Sequence, residues 1–428
     1  MNPREIKKHL SLNFNLALLI TVGYFLFPVQ NIIFANSDFD WRQWRGPNRD
    51  GISTETGLLK SWPPEGPKEL WRTTLGEGFS SISVANGKAF TMFTQGSSEY
   101  AACFDANSGK EIWHVQTDEK YINSWGNGPR ATPGVDHNMV YFASARAKLY
   151  AIDIESGKIV WQHDLVKAFG CLEPDLGYSN SPMIINDLVL VTGGGEGSKG
   201  IMAFDKNTGK LRWNQPTRHP GYSSPILIDV GNTRQAIFFA GTEIVSLSPV
   251  NGKRFWQYSW GSQWNENVAT PVFIPNNFLF FSSAHPRDKG SVVLEIAKNN
   301  SSFIAEPLWK NNAMQNHFSS TVLRGDFLYG TDRSILKCIN VKTGEEQWRQ
   351  RGFGEGTLIL ADQHLIVLGT SGLLGLVEAT PEAYREKGLV QVLSGKCYAP
   401  PSLANGKLFI RSPKEMVCLD LHIENEIN

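Results

Sequence analysis

A nine-residue unit returns five times along this chain and limits its fold more than any other feature. Asp105 to Trp113 reads DANSGKEIW, Asp153 to Trp161 reads DIESGKIVW, and Asp205 to Trp213 reads DKNTGKLRW. Looser copies run from Ser248 to Trp256 (SPVNGKRFW) and from Asn340 to Trp348 (NVKTGEEQW). Counted from Trp71, the tryptophans that close the repeat units lie 42, 48, 52, 43, 53 and 39 residues apart, and Trp309 ends a copy without the glycine. A period of roughly 40–50 residues belongs to β-propellers rather than helical solenoids.

A second marker recurs inside each unit, a tight turn followed by a β-rich run. It stands at Asn86, His137, Asn186, Asn232, Asn276, Gly325, Asp362 and Asn405. Short apolar segments flank these turns, as expected of four-stranded antiparallel blades. In the nine-residue unit the Asp side chains (Asp105, Asp153, Asp205) suit acceptance from backbone donors two or three residues on. The glycines (Gly109, Gly157, Gly209, Gly252, Gly344) supply a positive φ. The tryptophans (Trp113, Trp161, Trp213, Trp256, Trp348) fall on the outermost strand, where an indole can wedge against the next blade. This unit is structural.

The eighth unit, Ser402 to Leu421, runs out before a closing Trp, whereas Glu69 to Leu75 (ELWRTTL) is a spare Trp strand. Pairing the two would close the ring and remove exposed edges. The expectation is an all-β, eight-bladed propeller over residues 69–421, closed by its N-terminal strand in the C-terminal blade. A lead-in at 36–68 precedes it and a tail at 422–428 follows.

The repeat resembles the pyrroloquinoline-quinone (PQQ) enzyme repeat of eight-bladed quinoprotein dehydrogenases and of the outer-membrane barrel-assembly propeller lipoprotein. The likeness covers nearly all of residues 69–421. The stretch Trp41 to Trp71, opening WRQWRGPNRDG, also resembles the lead-in of secreted bacterial PQQ-binding-like propellers. The resemblance implies the fold; function stays open, because one propeller serves enzymes and scaffolds alike.

Residues 1–35 differ in character. Arg4, Lys7 and Lys8 precede an apolar run from Leu16 to Phe27, broken at Pro28 and ending at Ala35. That pattern reads as a secretory signal peptide, with an uncleaved anchor as the alternative; the h-region is short for a membrane span, and no Cys follows it for lipidation. Removing it leaves 38 basic against 40 acidic residues. An exported, near-neutral chain with no basic patch excludes nucleic acid as the partner and carries no membrane span once mature.

In such a propeller the loops entering the innermost strands line one mouth of the channel. They supply the candidate ligand-binding residues Arg130, Asn180, Tyr222, Glu266, His317 and Glu355 among aromatic and amide neighbours. A PQQ-dependent alcohol or sugar dehydrogenase would need Ca2+ with about six or more oxygen ligands. Only Glu266 and Glu355 bring carboxylates to these loops, and no Cys-Cys pair exists to stack on a quinone. No cofactor is therefore expected; PQQ and Ca2+ belong to the dehydrogenase alternative. Nine His and five Cys show no close pair at ligand spacing, so no metal is expected. Gly193 to Gly197 (GGGEG) leads into another strand, which leaves no helix N-terminus for phosphate.

Cys103, Cys338 and Cys418 fall in the slot that Ala151, Ala203 and Ser246 fill in other copies, the place of small core residues. Cys171 and Cys397 lie on loops, where a disulfide could join them in an exported protein. The leading functional expectation is a binding or scaffold module for a protein or peptide, with a small molecule at the channel mouth as a further ligand class. A glycan site built on Trp125, Tyr222 and Trp264 is compatible with the same loops.

Overall fold

The computed structural model describes residues 39–195, 199–285, 290–300 and 302–423. The leader expected at 1–35 and nearly all of the tail lie outside them. Eight four-stranded antiparallel sheets account for the described strands, seven of them running in chain order from the inner to the outer edge. The first blade starts at Ser83–Ala85 and ends at Glu111–Glu119. Later blades start at Gly134–Asp136, Met183–Ile185, Ile226–Val230, Val272–Ile274, Val322–Arg324 and Thr357–Ala361. The eighth takes Ser402–Ala404, Lys407–Arg411 and Glu415–Asp420 from the C-terminal end and Glu69–Thr74 as its outermost strand. The expected closure is therefore made, with Trp71 opposite Cys418. Buried Arg411 tightens the seam, donating to the carbonyls of Met92 (2.6 Å) and Gly76 (3.0 Å) across it.

Each pair of neighbouring blades shares a hydrophobic cluster, which is what makes the array a ring. Phe90 and Met92 of the first blade pack with Phe142 and Ile152 of the second, and Phe238 of the fourth with Ala203 of the third. One larger cluster joins the seventh, eighth and first blades. Burial of apolar side chains between sheets is the main stabilising term.

The repeat unit does what its chemistry indicated. Asp105 Oδ1 accepts from the backbone N–H of Asn107 (3.1 Å) and Ser108 (2.8 Å), and Asp205 does the same for Asn207 and Thr208. Trp113 Nε1 donates to Ile154 O of the next blade at 2.8 Å, and Trp161, Trp213 and Trp348 reach Lys206 O, Pro249 O and Thr380 O in the same way. The glycines have a second duty. A Cβ on Gly109, Gly157, Gly209 or Gly252 would lie 2.5 to 3.0 Å from the preceding blade's indole. Trp256 is the exception: the fifth blade has the hairpin Asn299–Ser302 in place of the glycine turn, and Trp256 Nε1 turns to Gln235 Oε1 of its own blade at 2.8 Å.

The small slot has a geometric cause. Cys103, Ala151, Ala203, Ser246, Cys338 and Cys418 each stand directly opposite the repeat tryptophan of the adjoining strand. All five cysteines are buried and free, so the Cys171–Cys397 disulfide is not formed. Cys171 Sγ contacts Lys199 O and Cys397 Sγ contacts Gly395 O, in different blades.

The lead-in folds as a strap across one end of the channel and touches all eight blades. Trp41 O accepts from Val84 N and Arg42 O from Val135 N. Arg49, fully buried, donates to Ser181 O (2.9 Å), Pro182 O (3.1 Å) and Pro225 O (2.6 Å). Trp44 Nε1 meets Thr270 Oγ1 at 2.8 Å, and Arg45 meets Thr321 O at 2.6 Å. Ser53 N donates to Leu360 O, and Leu59 N to Leu421 O. The channel is thus closed at this end. Among the described residues the only helix is Leu165–Phe169, and none is long and apolar enough to cross a membrane.

Candidate functional site

The loops that enter the inner strands surround the opposite mouth. Beneath it lies a small apolar cavity of about 110 Å³, below the roughly 300–1,000 Å³ of drug-sized sites and large enough for one or two side chains or a fragment. Trp44 of the strap closes its inner end; Phe79, Val268, Tyr398 and Pro400 form walls, and Trp125, Leu176 and Phe318 its upper rim. The aromatic rings touch one another in sequence. Phe79 packs on Tyr398 (5.5 Å between centroids), Tyr398 on Phe318 (5.1 Å), and Phe318 on Trp125 (5.7 Å). A second pocket continues from the same rim, lined by Trp264, Glu266, His285, His317, Arg333 and Glu355.

Five of the six residues expected at the mouth line one of these pockets. Arg130 faces the apolar cavity, but its guanidinium is already engaged: it donates to Gly126 O at 2.7 Å and to Gly128 O, and lies 4.9 Å from the Tyr121 ring. Burial lowers its pKa, with Tyr121 opposing. Tyr222 lines the same cavity and its hydroxyl accepts from Leu176 N; burial pushes its pKa up to about 12, so it stays a neutral phenol. Glu266, His317 and Glu355 line the second pocket. Asn180 does not line either. Its amide is buried and clamps neighbouring blades, donating to Ser223 O at 2.7 Å and accepting from Thr192 N at 3.2 Å.

The second pocket concentrates the titratable groups. His317 is 9% exposed and its Nδ1 lies 3.1 Å from Glu355 Oε1. Phe318 stacks on its ring at 3.8 Å, and Trp125 and His285 meet it edge-on at 6.1 and 5.1 Å. Donor atoms of Glu266, His285 and His317 all fall within 4.8 Å of one another. Burial raises the Glu266 pKa, offset by the attraction of His317. Burial lowers that of His285, reinforced by His317 and Arg333, so its imidazole is neutral at ordinary pH. Sequence reading missed His285 because it lies 19 residues from Glu266 and 32 from His317, with no ligand-type spacing. It also missed Trp44, which comes from the lead-in rather than a blade loop.

Residues 97–350 match the family described as outer membrane protein assembly factor BamB. The chain is 22% identical over 335 residues to outer membrane protein assembly factor BamB of Shewanella oneidensis, covering 72% of this chain and 77% of that one. It is 32% identical over 142 residues to quinoprotein alcohol dehydrogenase PedH of Pseudomonas putida, a match covering 31% of this chain and spanning only 22% of the dehydrogenase. Among solved structures, BamB from Moraxella catarrhalis aligns over 84% of this chain and 99% of that one, with TM-score 0.60 and 14% identity. Quinohemoprotein alcohol dehydrogenase ADHIIG from Pseudomonas putida aligns over 91% and 81%, with TM-score 0.63 and 12% identity. At these identities the structural likeness establishes the fold.

Proposed function

Because the chain belongs to the family of the outer membrane protein assembly factor BamB, we propose that it is an exported, non-catalytic scaffold that binds a protein or peptide at the open mouth of its ring. The carrying observation is the pair of indoles at that mouth: Trp125, 49% exposed, lines both the aromatic cavity and the second pocket, and Trp264, 55% exposed, lines the second pocket. Exposed Trp over a pre-formed apolar pocket is the composition of a binding hot spot. The strap supports the reading by closing the far end, so a ligand reaches the cavity from one side. Export rests on the basic and apolar pattern of residues 1–35.

The PQQ dehydrogenase reading fits the residues less well. PQQ carries several carboxylates, yet Arg130, the cation of the apolar cavity, already serves Gly126 and Gly128 carbonyls. Ca2+ prefers six to eight oxygen ligands, whereas the second pocket offers two carboxylates and two imidazoles.

The test is affinity purification of the mature chain with mass-spectrometric identification, beside the Trp125→Ala/Trp264→Ala double variant. The same partner should recur with the wild type and be lost with the variant. A parallel incubation with PQQ and Ca2+ should give neither a quinone absorbance nor alcohol-dependent dye reduction. Dye reduction at a rate dependent on PQQ would overturn the scaffold reading.

A further inference from the structure

Glu266, His285 and His317 come from three different loops, yet the fold aims them at one point on the mouth wall. Their donor atoms all lie within 4.8 Å of one another. Around an ion bound at about 2.0–2.2 Å, tetrahedral ligand atoms stand roughly 3.3 Å apart, so the three need to close by about an ångström or so, within reach of side-chain rotation. His285 and Glu266 are only half-buried on their loops, which leaves room for that adjustment.

Two further features distinguish this cluster from a chance meeting of polar groups. The first is the Glu355 carboxylate on His317 Nδ1 at 3.1 Å. A carboxylate holding one ring nitrogen fixes the tautomer and presents the other, Nε2, as the ligand; it also raises ligand basicity. Phe318 stacked on the same ring and Trp125 against its edge hold it in place. The second is charge. Glu266 and Glu355 are opposed by Arg333 alone among the charged pocket-lining residues, and Arg333 donates to Ala284 O at 3.0 Å. Two carboxylates against one guanidinium leave an excess of acidic groups on the pocket wall, which favours a cation.

We propose that Glu266, His285 and His317 form a binding site for a divalent first-row transition ion of the Zn2+ type, with Glu355 as the residue that positions His317. Two imidazoles and one carboxylate suit Zn2+ far better than Ca2+ or Mg2+, which take oxygen. Three protein ligands leave coordination positions open toward the pocket, the pattern of a site that also takes an exogenous ligand. The site lies on the rim that carries Trp125 and Trp264, but it stands independently of the scaffold reading, since the ion needs no partner protein.

The test uses the purified chain, stripped with chelator and dialysed against Zn2+, with metal counted by mass spectrometry. One Zn2+ per chain is expected. Co2+ should give visible absorption bands of a four- or five-coordinate ion, displaced by Zn2+. His285→Ala, at a half-exposed loop position, should abolish stoichiometric binding without changing the thermal midpoint of the metal-free protein. Glu355→Gln should weaken Zn2+ binding about 10–100-fold while keeping the Co2+ bands at saturation, the signature of a positioning residue. The proposal fails if wild type and His285→Ala retain the same Zn2+, or if neither binds any.

Discussion

The indole–glycine interlock at the ring seam can be tested through Gly109→Ala. Gly109 sits at φ +69°, and an added Cβ would lie 2.5 Å from Trp71 Cε3 and 2.7 Å from Cδ2. Trp71 is on the strand that the N-terminal end lends to the last blade, and its Nε1 donates to Ala106 O at 3.1 Å. Two penalties add. Holding alanine in the left-handed region costs about 1 kcal/mol. Forcing a methyl into a packed contact costs about 1–3 kcal/mol more. The expected loss is therefore about 2–4 kcal/mol in urea unfolding followed by circular dichroism. Gly325→Ala is the control: φ is +59°, but nothing lies within 4 Å of its added Cβ, so only the first penalty of about 1 kcal/mol applies. In a Trp71→Leu background the extra cost of Gly109→Ala should shrink toward the control value. Equal losses for Gly109→Ala and Gly325→Ala would refute the interlock and, with it, the account of why the repeat pairs Gly with Trp.

Three more outcomes follow from buried groups. Burial, with Asp118 nearby adding to it, lifts the Glu99 pKa from 4.5 to about 8, although Ala145 N donates to it. Between those values the folded state keeps a proton that the unfolded state has released. Stability from this group thus falls as pH rises through the window, by at most about 1.4 kcal/mol per pH unit; Glu99→Gln should flatten that slope and be more stable than wild type at pH 8, as denaturant titrations across pH would reveal. Arg49→Met should cost about 3–5 kcal/mol in the same assay, because three buried carbonyls of the third and fourth blades lose their donor. Cys171 and Cys397 should both react with a thiol reagent after unfolding in the absence of reductant, since no disulfide joins them; protection of the pair would contradict the structure.

Much of the fold was legible because its information is periodic. Trp113, Trp161 and Trp213 recur with their Gly and Asp partners, and each makes the same contact with the next blade. The missing eighth Trp and the spare one at Trp71 announced the closure. The placement of the candidate residues was legible in part: Arg130, Tyr222, Glu266, His317 and Glu355 line pockets at the mouth because blade topology puts every entry loop there. Asn180 shares that loop position, yet its side chain turns into the blade interface, a choice made by the Ser223 and Thr192 backbones.

Repetition and turn chemistry, being local, determined from sequence alone the blade number, the strand order and the seam. The strap and the histidine cluster were decided by tertiary structure. No local pattern marks Arg45 and Arg49 for burial; the ring brings carbonyls more than a hundred positions away around them. His285 gains Glu266 and His317 as neighbours only when consecutive blades curve about one axis. Such contacts join residues with no fixed spacing, so no pattern along the chain encodes them, and the closed ring alone sets their distances.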